Sequence, residues 1–166
     1  TLSAAQVVDL SRDLLAAGMA HARGLAAWQD LAGGLEHSAR ELRLACAGPL
    51  RDLRGVIKLR WDERADQPAF TTAMQSLETA AKAAGTAVEG VEGSAPDFTR
   101  LAERVRTLGT LAARFAEPVP EQRVRWIDLG PRDSRLVESP LDIRDLFTQQ
   151  RCDSGRAWIF TSATLG

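Results

Sequence analysis

Cysteine is scarce: Cys46 and Cys152 are the two in 166 residues. Two thiols exclude a disulfide-stapled scaffold, and they are too few for a four-thiolate metal site within this chain. Histidine is equally sparse. His21 and His37 stand 16 residues apart, without the i, i+4 partner or carboxylate cluster a zinc site needs. They read as surface or packing residues. Lysine is reduced to Lys58 and Lys82, the other 19 of 21 basic residues being arginine, a bias of the kind a GC-rich genome produces. No apolar run approaches the roughly 20 residues that cross a bilayer. Asp9, Arg12 and Asp13 interrupt the first apolar stretch, so that stretch is not expected to be a secretory signal. The net charge of −1 excludes a polybasic, histone-like protein but leaves room for local basic patches. A reducing, cytoplasmic setting without a membrane is the default expectation.

What is there is ordinary globular material, 45% apolar and 26% charged, enough for one domain or two small ones. The sequence opens on Thr1 rather than Met and stops at Leu165-Gly166 after an apolar run. The expectation is a stretch of a longer protein. Ser3-Ala4-Ala5-Gln6 has capping-box spacing, and Val7, Val8, Leu10, Leu14, Leu15 and Met19 follow at helical period. Leu25, Trp28 and Leu31 extend that stripe across Gly24, which reads as one long helix. A second helix is expected over Leu35–Cys46, stopped by Gly48-Pro49. Residues 50–66 mix two periods and read as irregular. Pro68 suits a helix first turn, ahead of a stripe from Phe70 to Val88. Another stripe, from Phe98 to Phe115, predicts the next helix.

Past Pro118 and Pro120 the period changes to two. Val124, Trp126 and Leu129 are expected on one face of a strand, with Arg123, Arg125 and Asp128 on the other. Gly130–Asp133 reads as a turn, Arg135–Ser139 as the returning strand, and Asp142 as the cap of a short helix carrying Ile143, Leu146 and Phe147. Ala157-Trp158-Ile159-Phe160 has the composition of a strand buried on both faces. Without sheet neighbours its exposed edge invites self-association. The fold class expected is mainly α, with a small C-terminal α/β part of two or three strands and a short helix.

That final strand runs into Ser162-Ala163-Thr164. Together with Ser139-Pro140-Leu141-Asp142-Ile143 and the strand Val124–Asp128 upstream, it resembles the approach to motif III in the DinG/YoaA-like branch of superfamily 2 DNA helicases, bacterial relatives of the XPD type. The resemblance covers about residues 122–166. It implies a helical arch over residues 1–117, and over 118–166 the chain's return to the first RecA-like motor domain. In that setting the Ser162 and Thr164 hydroxyls, with Ala163 keeping the turn narrow, couple ATP hydrolysis to motion and are not catalytic. It implies a parent that hydrolyses ATP with Mg²⁺ and acts on single-stranded DNA in repair. It also leaves room for a 4Fe–4S cluster bound outside this stretch, and for a replication or repair protein as partner. Neither a Gly-x-x-x-x-Gly-Lys-Ser/Thr phosphate loop nor an Asp-Glu-Ala-His box occurs here. This stretch alone is therefore expected to be inactive, without a cofactor, metal or catalytic residue of its own. The alternative is a self-contained helical interaction module whose Ser-Ala-Thr end is coincidental.

Two stretches are locally basic. Arg51, Arg54, Lys58 and Arg60 surround Asp52, and Arg100 and Arg104, with Arg106 and Arg114, flank Glu103. Both suit contacts along a single-strand backbone, although for any single arginine a solvated face with pairs such as Arg100–Glu103 is the favoured reading. Trp61, beside Arg60, is either a base-stacking platform or an aromatic cap over the helical core. The DNA-binding candidates are thus Arg51, Arg54, Lys58, Arg60, Trp61, Arg100 and Arg104.

Overall fold

The computed structural model describes residues 1–141. The expected helix after Asp142, the strand Ala157–Phe160 and the Ser162–Thr164 motif lie outside the described residues. In chain order the elements are β1 (Leu2–Ser3), α1 (Ala4–His21), α2 (Trp28–Ala47), β2 (Ile57–Arg60), the single-turn α3 (Asp62–Ala65), α4 (Pro68–Glu89), α5 (Pro96–Ala116), β3 (Arg123–Leu129) and β4 (Ser134–Pro140). The described part is mainly α-helical.

The stripes over α4 and α5 form helices where they predict them, and the first stripe starts α1 as expected. The α1 start is the expected capping box: the Gln6 amide donates to Ser3 Oγ and the Ser3 amide to Gln6 Oε1, each at 3.2 Å. Asp133, in the β3–β4 turn, accepts from the Ala5 amide at 3.0 Å and so ties that turn to the same helix end. Pro68 occupies the first turn of α4, and Phe70, Ala73, Met74, Leu77, Ala81, Ala84 and Val88 are all buried. Facing them, α5 buries Phe98, Leu101, Ala102, Val105, Leu108, Ala112 and Phe115.

The expected long first helix does not form. Gly24 takes φ +81, a left-handed conformation that α-helix cannot continue through. The chain turns and α2 begins at Trp28, whose indole N–H donates to the Ala22 carbonyl at 2.8 Å. The same ring stacks on Phe98, with centroids 5.8 Å apart, so the α1–α2 corner is clamped to α5. A Cβ at Gly18 would lie 2.3 Å from that ring. Trp28 continues the helical phase of the preceding leucines and yet plugs a corner, which is why periodicity alone misplaces it.

The sheet is antiparallel, in the order β1-β4-β3-β2. Its strands come from the start, the middle and the end of the described chain, β1 and β2 flanking the β3–β4 hairpin. Residues 50–66, expected to be irregular, hold β2 and α3. Leu2, Ile127, Leu129 and Leu136 are buried on the face turned to the helices. Val124 and Trp126 share one face of β3 and Arg123 and Arg125 the other, as expected, but Leu129 falls on the arginines' face and Asp128 on the tryptophan's. Arg125, Ile127 and Leu129 point inward, while Val124, 40% exposed, and Trp126 point out. Residues of opposite parity cannot share one face of a pleated strand. Here Ile127 and Leu129 set the phase, and Glu138 opposite Arg125 makes the buried arginine tolerable.

Candidate nucleic-acid interface

The structure gathers three of the seven sequence candidates and separates the other four. Lys58 and Arg60 project from β2, and Trp61 follows at the corner into α3. They line one groove of about 670 Å³ with Leu59, Asp62, Val119, Arg123, Val124, Arg125 and Trp126. Register explains the meeting, because Arg60 lies directly opposite Trp126 and Lys58 opposite Asp128. The Lys58 ammonium sits over the Trp126 ring, 4.7 Å from its centroid. Arg60, 79% exposed, makes a loose 3.3 Å pair with Asp62.

Arg51 and Arg54 do not line this groove. Arg51 donates to the carbonyls of Gly48 and Leu50, both at 2.8 Å, closing the loop after α2, and Arg54 is exposed nearby. Arg100 and Arg104 stand on α5, roughly 16–22 Å along the axis from Phe115 at the groove end. Arg104 holds Asp13 of α1 at 2.6 Å. Arg100 is exposed beside His21 and Asp97, which pair at 3.4 Å. His37 pairs with Glu41 one turn away.

Trp61 is half-buried and engaged on several sides. It meets Phe70 edge-on at 5.3 Å and Phe115 at 5.8 Å, and the Arg125 guanidinium lies 5.3 Å from its ring. The aromatic-cap alternative describes these contacts.

Beneath the groove lies an ionic node that sequence reading missed. The Glu138 side chain, 4% exposed, accepts from Arg114 and, at 3.2 Å, from Arg123, both on Oε1, and from Arg125 at 2.7 Å on Oε2. Arg125 also donates to the Glu117 and Arg114 carbonyls at 2.7 and 2.9 Å, capping the C-terminal end of α5. Burial alone raises the Glu138 pKa. The hydrogen bonds and charges of Arg125 and Arg114 outweigh burial and hold it below its ordinary value. Three guanidinium groups against one carboxylate leave the node with positive charge in excess. The Trp126 indole N–H is buried without an acceptor among the described residues.

No group of three or more His, Cys, Asp or Glu among the described residues is arranged to hold a metal ion. Cys46 is buried, and burial pushes its thiol pKa up to about 12, so it is no ready thiolate ligand. A metal ion or iron–sulfur cluster does not fit these residues, and without a phosphate loop no step of ATP hydrolysis is assigned to them. No described helix is long and apolar enough to cross a membrane.

The chain aligns with the ATP-dependent DNA helicase YoaA of Escherichia coli (strain K12), at 27% identity over 165 residues. The likeness is distant. The alignment takes in 99% of this chain and 25% of that helicase, so the chain spans about a quarter of the length of its curated relative. No protein-family model matches the sequence. No solved structure matches it either.

Proposed function

We propose that this chain is a stretch of an ATP-dependent DNA helicase of the DinG/YoaA type acting in DNA repair in the cytoplasm. The observation that carries the reading is the alignment, which runs through nearly the whole chain and not through one short motif. On this reading residues 1–117 are an arch-like helical domain that guides single-stranded DNA. Residues 118–166 return to the first RecA-like motor domain and end in motif III, where Ser162, Ala163 and Thr164 couple ATP hydrolysis to movement. The parent supplies the ATP and Mg²⁺ site, and any iron–sulfur cluster, from other segments. A replication or repair protein is a further partner of that parent. Arg51, Arg54, Arg100 and Arg104 remain DNA-contact candidates beside Lys58, Arg60 and Trp61.

The test uses the complete parent protein. Single-stranded DNA is expected to stimulate its ATPase, and it is expected to separate duplexes. Replacing Ser162 and Thr164 with Ala should leave ATP and DNA affinity nearly unchanged and lower unwinding per ATP consumed. Each hydroxyl bond removed is worth about 0.5–1.5 kcal/mol net, enough to shift a two-state relay several-fold. A parent without DNA-stimulated ATPase would refute the helicase reading. Normal unwinding per ATP in the double mutant would remove the coupling role of motif III.

A further inference from the structure

We propose that the β2–β3 groove is a stacking site for single-stranded nucleic acid, with Trp126 as its base platform and Lys58, Arg60 and Arg123 as its phosphate-binding groups. The inference rests on the reading that the parent works on single strands, and it specifies where one strand lies on this chain. Trp61 is packed against Phe70, Phe115 and Arg125, whereas Trp126, equally half-buried and with its indole N–H covered, lies on the sheet face turned away from the helices, where Lys58 is the cation over its ring. Its neighbour Val124 is 40% exposed, and Val119, 39% exposed, extends the apolar floor. Single-strand binders combine such aromatic and apolar platforms with a positive track for the backbone.

Charge complementarity names the occupant. Lys58, Arg60 and Arg123 ring the groove and Arg125 lies beneath it, against Asp62 as the sole lining carboxylate among the described residues. Asp128, opposite Lys58 and Arg135 across the sheet, is not among the lining residues. The node below adds to the positive potential, since three arginines share Glu138. An incoming base displaces the Lys58 ammonium from the Trp126 ring. Lys58 then reaches the phosphate of that nucleotide, because a cation–π contact at an exposed site is weak compared with a charge pair. Stacking is sequence-tolerant, so the site takes single strands of any sequence and rejects duplex, whose bases are already stacked.

The experiment titrates the 166-residue chain with oligothymidylate and, separately, with a duplex and an acidic peptide, following tryptophan fluorescence and anisotropy at several salt concentrations. Oligothymidylate is expected to bind and quench, with little response to the duplex. Trp126→Leu should weaken binding roughly tenfold, within the range for removing one stacked base. Lys58→Glu with Arg60→Glu, both on an exposed strand and harmless to the core, should weaken it further and lower the salt slope by about 0.7 for each phosphate no longer neutralised. Arg40→Glu, exposed on α2, should change nothing. No oligonucleotide binding, wild-type binding by all groove variants, or a groove that takes only the acidic peptide would each overturn the proposal. A parent with DNA-stimulated ATPase but unaltered groove variants defeats this inference alone. Groove binding in a parent without that ATPase defeats only the helicase reading.

Discussion

Replacing Glu138 with Gln tests whether the ionic node holds the helices to the sheet. The change keeps the side chain's shape and removes the one negative charge shared by three guanidinium groups. Arg125 is the costly partner, because its side chain is 1% exposed and Glu138 is its only carboxylate partner among the described residues. Leaving such a charge buried and unpaired costs about 3–5 kcal/mol. Arg114 and Arg123 are 44% and 38% exposed, so water takes over much of their solvation and each adds at most about 1 kcal/mol. The Arg125 bonds to the α5 carbonyls survive the substitution, which places the expected loss near the lower end, about 3 kcal/mol. For a chain of this size that lowers the melting temperature by roughly 6–12 °C.

The same node predicts a pH dependence whose sign follows from linkage. Glu138 has a folded pKa below its ordinary value near 4.5, so the unfolded chain takes up its proton first. The contribution is complete above that value and is lost as pH falls through it towards the folded pKa. Melting followed by circular dichroism between about pH 7 and pH 3 should show a smaller acid-side slope in the Gln variant than in the unsubstituted chain. An unchanged melting temperature at neutral pH, or identical acid slopes, would refute the account of the node. Asp13→Asn provides the contrast, since the exposed Asp13–Arg104 pair is worth at most about 1 kcal/mol.

Two glycine substitutions should act in opposite directions, read by urea denaturation. Gly18→Ala drives a Cβ into the buried, hydrogen-bonded Trp28 ring, and overpacking of about 1–3 kcal/mol or more outweighs the roughly 1 kcal/mol gain in helix propensity. Gly33→Ala meets open space within α2 and should stabilise by up to about 1 kcal/mol; equal behaviour of the two would show that the Trp28 corner is not tight. In a Cys152→Ser background, Cys46 should resist a thiol reagent at pH 8 until urea unfolds the chain, because burial keeps it protonated. Prompt labelling of the folded protein would contradict that burial.

The features legible in the sequence share one property: their determinants are close together along the chain. Ser3 and Gln6 are three residues apart, and the α4 and α5 stripes repeat within each helix, so local pattern suffices. Gly24 is a local signal too, but Trp28 keeps the helical phase, and its true partners, the Ala22 carbonyl and the Phe98 ring, emerge only once α5 packs. The strands fail for the complementary reason. Ile57–Arg60 is four residues long, and its partner Trp126–Leu129 lies about seventy residues onward, so nothing nearby distinguishes it from loop.

One error in phase carries directly into the site. Placing Leu129 with Val124 and Trp126 puts odd and even positions of a strand on one face, which a pleat forbids. Once Ile127 and Leu129 are turned inward, Trp126 must face outward opposite Arg60 and below Lys58, and Arg125 must enter the interior. Lys58 and Arg60 are visible as a basic run, but Trp126 and Arg123 join them only through register, and Glu138 draws in Arg114, Arg123 and Arg125 only through the hairpin and the end of α5. The buried charge is therefore a consequence of the same alternation that turns the tryptophan to the outer face. A substitution that slipped β3 by one residue would bury Trp126, expel Arg125 and erase groove and node together.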